Sequence, residues 1–263
     1  MAIEFCHRPG LVVYLTIGDP DLATSKKIAL AAIDAGADVL ELGVPFSDPL
    51  ADGPVIQRAS ERAVRNGTRL TDVLELAREL RQERPSAGLV IFSYLNPLLR
   101  MGLEAFAEAA EKAGVDAVLV TDMIVEESEQ YRATLRKHHL QPIFLAAPTS
   151  PDERLQQIGR VSEGFVYAIS RVGITGTQQQ VASDASTLVS RLRRYTKLPI
   201  ALGFGISNAA HFSAAGEFAD AVVVGSAIVA TIERTKPEEA PAAVGAFIAG
   251  LRTQPAVEEG VVS

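Results

Sequence analysis

Short β-rich runs alternate with amphipathic helical stretches along almost the whole chain, and this order limits the folds open to it. The candidate strands are LVVYLTI from Leu11, DVLELGV from Asp38, LVIFSY from Leu89, DAVLVT from Asp116, PIFLAA from Pro142, GFVYAIS from Gly164, PIALGF from Pro199 and AVVVGS from Ala221. Parallel strands need a crossover segment, usually a helix, so the pattern predicts an α/β protein with a parallel sheet. Eight such units in about 250 residues fit a single-domain (β/α)8 TIM barrel better than a doubly wound sheet, whose Gly-rich first turn is not found in TIGDPDLATS.

The chain shows no internal boundary. No Pro/Gly/Ser-rich linker or charge block divides it, so we expect one domain over residues 1–263 with a core from about 11 to 252. A lead of about ten residues precedes the first strand, and PAVEEGVVS reads as a loosely held tail. A weak repeat joins helix to strand three times, as AGAD from Ala35, AGVD from Ala113 and AGEFAD from Ala215.

Charge and hydropathy exclude several classes of protein. The net charge is −7 and the basic residues are scattered, which argues against a nucleic-acid surface and requires an acidic substrate to be held locally. The start, MAIEFCHRPG, lacks the features of a signal peptide, and no apolar run approaches the roughly 20 residues that span a bilayer. A cytoplasmic protein is expected. Cys6 is the only cysteine, so no internal disulfide can form.

The positions of lysines and histidines argue against two kinds of chemistry. In a barrel the reaction takes place at the C-terminal ends of the strands. The lysines fall on helices or on loops leading into strands, so imine formation is not expected from Lys26, Lys27, Lys112, Lys137, Lys197 or Lys236. A metal cage or Ser–His pair is likewise not expected from His7, His138, His139 or His211. The sequence predicts a site without metal or cofactor.

Carboxylates are the acid–base groups that remain. In ELGVPFSDPLADGP, Glu41 lies near the end of the second strand, and Asp48 and Asp52 lie on the following loop, which three prolines stiffen. A structural pairing could explain the glutamate, and ordinary turn chemistry could explain the aspartates. Together they indicate function, because a partly buried glutamate has a raised pKa and can give and take a proton near neutral pH.

Glycine-rich segments follow the later strands. GFGIS follows strand seven and GSA follows strand eight, and each leads into a predicted helix. Phosphate sites in these barrels are often built there from backbone N–H groups and a helix N-terminus. Turns also need glycine, but two such segments at the expected ends favour a phosphorylated ligand. SRVGITGTQQQ, after strand six, has the composition of a closing lid or of a solvated loop.

The chain resembles the tryptophan synthase alpha chain family. The resemblance rests on ELGVPFSDPLADGP, YLTIGDP, DMIVEES, SRVGITG, GFGIS and GSAIV, in this order and at these separations. It extends from about Leu11 to the last helix, and the fourteen-residue acidic motif is highly specific. The resemblance implies cleavage of indole-3-glycerol phosphate to indole and glyceraldehyde 3-phosphate. It also implies a partner, the beta chain that consumes the indole, in an alpha2-beta2 assembly.

The resemblance also implies roles for individual residues. Glu41 matches the general acid/base that protonates the indole C3 and relays the proton of the glycerol hydroxyl, and Asp52 matches the carboxylate that holds the indole N–H. Tyr167 matches a tyrosine beside the acid, and Thr175 matches a lid threonine that orients Asp52. Asp48 and Pro49 match a loop that meets the beta chain. The matches for phosphate binding are Gly176, Gly205, Gly225 and Ser226.

Four further residues are candidates for an apolar indole pocket, namely Tyr14, Phe204, Leu145 and Ile169. Core packing is an equally good interpretation of Leu145 and Ile169. The sequence departs from the family in three places: the lead is short where a helix is usual, Ile124 stands where proline is common, and TGTQQQVASD lacks an arginine often seen after the lid glycine. None of these departures affects Glu41 or Asp52.

Three alternatives stay open at this point. A standalone lyase that releases free indole would carry the same catalytic residues. A non-catalytic barrel that only binds phosphate and activates a partner would not need the acid/base positions, which are present. A phosphate-binding isomerase would combine a carboxylate base with an electrophilic His or Lys at the rim, and neither is found there.

Overall fold

The computed structural model describes residues 3–169, 178–203 and 205–252. Its parallel sheet is formed by β1 Gly10–Thr16, β2 Val39–Gly43, β3 Gly88–Ser93, β4 Ala117–Val120, β5 Gln141–Ile143, β6 Leu145–Ala146, β7 Val166–Ile169, β8 Ile200–Gly203 and β9 Ala221–Val224. The helices are α1 Leu22–Asp34, α2 Pro54–Arg65, α3 Leu70–Glu83, α4 Leu95–Met101, α5 Leu103–Lys112, α6 Glu129–Lys137, α7 Asp152–Val161, α8 Gln178–Leu192, α9 Ala209–Gly216, α10 Ser226–Arg234 and α11 Ala240–Arg252.

The strands form a nearly closed barrel. β1 pairs with β2 on one side and with β9 on the other, and the pairing continues in both directions through the order β5-β4-β3-β2-β1-β9-β8-β7-β6. The predicted fifth strand, PIFLAA, is divided into two short strands around Phe144: β5 pairs with β4, and β6 pairs with β7. Apart from this division, the predicted order of strands is the observed one, and the TIM-barrel prediction is confirmed.

Residues alternate between two cores along each strand. Val12, Val39 and Val90 point into the barrel, whereas their neighbours Val13 and Leu40 pack against the surrounding helices. Strands buried on both faces read as near-continuous apolar runs, which is why period-2 alternation is weak in this sequence. Glu41 is the exception in β2, a charged residue in a strand that is otherwise apolar.

The short N-terminal lead closes the lower mouth of the barrel. Ile3 and Phe5 pack against the inner cluster, and the Phe5 ring lies 5.9 Å from that of Phe165. The N–H of Ile3 donates to Oε1 of Gln141 at 3.4 Å. Two apolar side chains of the lead therefore cover the floor of the barrel.

The three aspartates of the AGAD-type repeat share one structural role at this lower end. Asp38, Asp116 and Asp220 each precede a strand directly, and each carboxylate accepts a backbone N–H from the neighbouring strand and pairs with an arginine. The N–H donors are Leu11 (2.8 Å), Leu89 (2.8 Å) and Ile200 (2.7 Å), and the arginines are Arg252, Arg81 and Arg193, respectively. The repeat thus fixes the register of neighbouring strands.

Removing one of these carboxylates is expected to destabilise the barrel without affecting its chemistry. Asp116→Ala leaves the Leu89 N–H without its acceptor and Arg81, whose side chain is 16% exposed, without its anion. We expect a loss of about 3 kcal/mol in the free energy of unfolding, measured by urea denaturation. Glu75→Ala, which removes the exposed pair with Arg78, is the control and should change stability little. Equal losses in both variants would contradict the assigned role.

Candidate active site

A cavity of about 810 Å³ opens at the C-terminal ends of the strands. Its walls include Tyr14 from β1, Glu41 from β2, Phe92 from β3, Tyr167 from β7 and Val223 from β9. The cavity is large enough for a bicyclic aromatic ring carrying a short phosphorylated chain. It lies where the chemistry of a TIM barrel is expected.

Glu41 lies fully buried at the base of this cavity. It stands in register between Tyr14 of β1 and Val90 of β3, so its side chain points inward. It is 0% exposed, and neither carboxylate oxygen has a hydrogen-bond partner in the part of the chain that the structure describes. Desolvation by burial raises its pKa to about 8, so the carboxyl group carries a proton at neutral pH. The sequence predicted partial burial, and the burial is complete.

Two tyrosine rings cover the space around Glu41. A Cβ at Gly43 would lie 2.5 Å from the Tyr14 hydroxyl, and one at Gly203 would lie 2.7 Å from Cε1 of Tyr167, so both glycines make room for a ring. Burial raises the pKa of both phenols, and the negative charges of Glu41 and Asp52 add to the effect. Both tyrosines therefore stay neutral at neutral pH.

Asp52 enters the cavity from the loop after β2. Its backbone N–H donates to the Pro49 carbonyl at 3.1 Å, and the Tyr94 hydroxyl donates to its Oδ2 at 3.0 Å. The same hydroxyl accepts the N–H of Ala51 at 2.9 Å. Desolvation raises the pKa of Asp52 to about 6, while the Tyr94 hydrogen bond opposes the rise. Asp52 is therefore ionised at neutral pH, whereas Glu41 is protonated.

Tyr94 is a functional residue that the sequence analysis missed. It follows β3 directly, at the catalytic end, and that position is the one signal that could have identified it. Its hydroxyl contacts both the carboxylate of Asp52 and the backbone of Ala51. It therefore fixes the direction of the loop between β2 and α2, residues 44–53, which is called the acidic loop below.

Tyr94→Phe should therefore weaken catalysis through Asp52. Without the hydroxyl the pKa of Asp52 rises further, because that hydrogen bond favours the ionised form. We expect kcat/KM to fall by about tenfold and its acid limb to move to higher pH. Tyr131→Phe removes another buried hydroxyl, which donates to the Val118 carbonyl at 3.2 Å and does not line the cavity. A pH profile that moves equally in both variants would contradict the assignment.

An ion network joins the helix after Asp52 to helix α10. Arg62 of α2 makes a bidentate pair with the buried Asp19, with Nε–Oδ1 2.8 Å and Nη2–Oδ2 2.9 Å. Its Nη1 also donates to Glu233 of α10 at 2.8 Å, and Arg58 holds the same carboxylate through bonds of 2.8 and 2.7 Å. These hydrogen bonds lower the pKa of Glu233 to about 2. The network fixes the spacing between two walls of the cavity.

The segments after β8 and β9 also line the cavity. Gly205, Gly225 and Ser226 line it, and Ser226 is the first residue of α10. A Cβ at Gly205 would meet no described atom within 4 Å, so no described neighbour requires glycine there. Because glycine has no Cβ, the backbone at this position stays open to a ligand. A helix N-terminus with accessible backbone favours an anion. The cavity thus has an acid/base end, formed by Glu41 and Asp52, and an anion end, formed by Gly205, Gly225 and Ser226.

The other predicted site residues fall into three groups. Leu145 and Ile169 line the cavity. Asp48 and Pro49 lie on the acidic loop and not among the lining residues, beside Leu50, which is 91% exposed. Outside the described residues lie Thr175, Gly176 and Phe204.

A comparison with known proteins identifies the family. The model of the family described as "Tryptophan synthase alpha chain" matches residues 3–253. The chain belongs to the tryptophan synthase alpha chain family. The alpha chain of Solibacter usitatus (strain Ellin6076) is 48% identical over 228 residues, which cover 87% of this chain and 85% of that one. The alpha chain of Cupriavidus pinatubonensis is 45% identical over 251 residues, covering 95% of both chains.

Solved structures of alpha chains have the same fold. Ligand-free tryptophan synthase from M. tuberculosis superposes with a TM-score of 0.84 at 35% identity, with 94% of each chain covered. The alpha subunit from Legionella pneumophila str. Paris gives a TM-score of 0.84 at 33% identity, with 93% of this chain and 91% of that chain covered. Because the chain belongs to the tryptophan synthase alpha chain family, it is a lyase, and a beta-chain partner is implied.

Two further observations concern the described residues of this alpha chain. No group of three or more His, Cys, Asp or Glu side chains among them is arranged to hold a metal ion. No helix in the described ranges is both long enough and apolar enough to cross a membrane.

Proposed function

We propose that this cavity cleaves indole-3-glycerol phosphate into indole and glyceraldehyde 3-phosphate by a retro-aldol reaction that uses side-chain carboxyl groups alone. The family supplies the reaction and its place in tryptophan biosynthesis, and with them we place the chain in the cytoplasm. The observation that carries the proposed mechanism is the Glu41 carboxyl, which is fully buried, without a hydrogen-bond partner among the described residues, and opens onto the cavity.

The two carboxyl groups have different tasks because burial raises their pKa values to different levels. Protonated Glu41 donates its proton to the indole C3, and the ring nitrogen becomes positively charged. Ionised Asp52 accepts a hydrogen bond from that N–H and stabilises the charge. Such a division of roles between two carboxyl groups follows from their pKa values of about 8 and about 6.

The second half of the reaction restores Glu41. Its carboxylate now takes the proton of the hydroxyl on the carbon attached to C3, and the bond from that carbon to C3 breaks. The bonding electrons return to the ring, which leaves as indole, and the hydroxyl carbon becomes the aldehyde of glyceraldehyde 3-phosphate. Glu41 is protonated again at the end, so one buried group serves as acid and then as base.

The remaining residues hold the substrate. Tyr14, Tyr167, Leu145 and Ile169 surround the space beside Glu41, where an indole ring would lie. Gly205, Gly225 and Ser226 lie where a phosphate group would meet backbone N–H groups. By the family resemblance, Thr175 orients Asp52, Gly176 completes the phosphate site, and Phe204 completes the indole pocket.

The pH dependence of kcat/KM should be bell-shaped. Asp52 must be ionised, so the rate falls as pH drops through about 6, and Glu41 must be protonated, so the rate falls as pH rises through about 8. The measurement is kcat/KM from about pH 5 to about pH 9.5 at constant ionic strength. A rate that stays constant above pH 8 would contradict the role of Glu41 as the initial acid.

We propose an alpha2-beta2 assembly in which the acidic loop contacts the beta chain. Support comes from exposed apolar side chains on loops and helices at the catalytic end: Leu50 is 91% exposed, Leu99 56% and Ile124 47%. Asp48 and Pro49 lie beside Leu50 on the loop that also carries Asp52. A partner bound there would contact the segment that holds a catalytic carboxylate, so docking and catalysis would be coupled.

The test is a time course of indole release from indole-3-glycerol phosphate by the purified chain, with and without an added tryptophan synthase beta chain. Slow release that rises sharply with the partner supports the alpha-subunit function. Fast release without any effect of the partner would make the protein a standalone indole producer. No release under either condition would overturn the proposal and favour a binding-only barrel.

A further inference from the structure

Helix α10 presents one face to the cavity. Ser226, Ala230 and Arg234 are four residues apart, so they lie on one face of the helix, and all three line the cavity. Ser226 belongs to the anion end, and Ala230 has a small side chain that leaves a path along the helix. Arg234 was not singled out from the sequence and has no role in the mechanism above.

Arg234 contributes a positive charge to the described lining of this cavity. The described lining residues include the carboxyl groups of Glu41 and Asp52, and Arg234 is the one arginine or lysine among them. The adjacent Glu233 does not neutralise it, because that carboxylate faces α2 and is held by Arg58 and Arg62. The side chain of Arg234 makes no ion pair or hydrogen bond with the residues that the structure describes.

The geometry places this charge within electrostatic reach of the anion end. Eight residues of helix separate the Cα atoms of Ser226 and Arg234 by about 12 Å. Helical side chains lean towards the N-terminus, so the guanidinium lies closer to Ser226 than its own Cα does. The remaining distance is comparable to the Debye length of about 8 Å at physiological ionic strength. A direct contact is not needed for the charge to act.

We propose that Arg234 captures the phosphate group of the substrate electrostatically and draws it to the N-terminus of α10. The ligand chemistry is a phosphomonoester dianion, which otherwise has to approach a chain of net charge −7 and a cavity lined by the ionised Asp52. The identity of the substrate rests on the proposed function, whereas the attraction to phosphate does not. Arg234 is a binding residue in this proposal and takes no part in the chemical step.

The test compares Arg234→Gln with the unchanged protein at low and high salt. At low ionic strength we expect KM for indole-3-glycerol phosphate and the dissociation constant for inorganic phosphate to rise by about fivefold. The value of kcat at saturation should stay unchanged, and the difference in KM should shrink as salt is added. Arg234→Lys should restore most of the affinity, because it keeps the charge.

The matched control is Arg160→Gln. Arg160 is an exposed arginine in the last turn of α7, does not line the cavity and has no ion pair with the described residues, so this variant changes net charge equally. Unchanged phosphate affinity in Arg234→Gln, or an equal loss in Arg160→Gln, would overturn the inference. If the protein binds inorganic phosphate through Arg234 but releases no indole, the proposed function fails and the inference stands.

Discussion

Glu41→Gln is expected to lower kcat for indole-3-glycerol phosphate cleavage by at least about a thousandfold while the protein still folds and binds substrate. Glutamine has nearly the shape of glutamic acid but can neither donate the proton to the indole C3 nor take one from the glycerol hydroxyl. The measurement is single-turnover release of indole, together with substrate binding by the inactive variant. Glu129→Gln, an exposed substitution on α6, is the control for loss of a carboxylate.

The same variant should be more stable than the unchanged protein at alkaline pH. The pKa of Glu41 is about 8 in the folded state and 4.5 in the reference state, so the unfolded chain releases its proton at a lower pH than the folded chain. Folding therefore becomes less favourable as pH rises from 4.5 to 8. The gain from Glu41→Gln should be small near pH 4.5 and on the order of 5 kcal/mol above pH 8.

Full activity in Glu41→Gln would remove the mechanism. A variant that fails to fold would leave the activity uninformative, so circular dichroism and the pH dependence of unfolding belong to the same experiment. A stability difference that does not grow with pH would show that burial of the Glu41 carboxyl does not hold its proton.

Asp52→Asn is expected to lower kcat by about a hundredfold. The amide can keep the hydrogen bond from Tyr94 but loses the negative charge that faces the developing positive charge on the indole ring. The acid limb of the pH profile near 6 should disappear, because the group that titrates there is gone. The measurement is kcat/KM as a function of pH.

The control for this second variant is Asp184→Asn on the exposed surface of α8. It removes one negative charge without touching the cavity and should leave the profile unchanged. An Asp52→Asn protein that keeps its acid limb would assign that limb to another group and contradict the proposed division of roles.

Much of the fold follows from the sequence because the barrel repeats one local pattern. Each strand is buried on both faces and each helix has one apolar stripe, so both are visible as periodicity. The division of the fifth strand around Phe144 was not predictable, because PIFLAA contains no residue that marks a break. The two halves differ in their pairing partner: β5 pairs with β4, and β6 pairs with β7. The single domain over residues 1–263 stays a prediction.

The candidate site follows from the sequence only in part. Glu41 was identifiable because a carboxylate in a buried strand is unusual, and the barrel then places it beside the loop that carries Asp52. Tyr94 and Arg62 were missed because their contacts join segments far apart in the chain. Arg234 was missed because only the folded chain brings it to the cavity. The AGAD-type repeat was seen, but its role needed the backbone of the neighbouring strand.

The proposed mechanism depends above all on the protonation state of Glu41, which can be measured. Infrared difference spectra of the unchanged protein against Glu41→Gln, recorded across a pH titration, isolate the carbonyl band of a protonated Glu41 carboxyl. We predict that this band is present at pH 7 and disappears with a midpoint of about 8, together with the basic limb of kcat/KM. A midpoint near 4.5, the ordinary value of a solvated glutamate, would mean that Glu41 is ionised at neutral pH and would contradict its role as the initial acid.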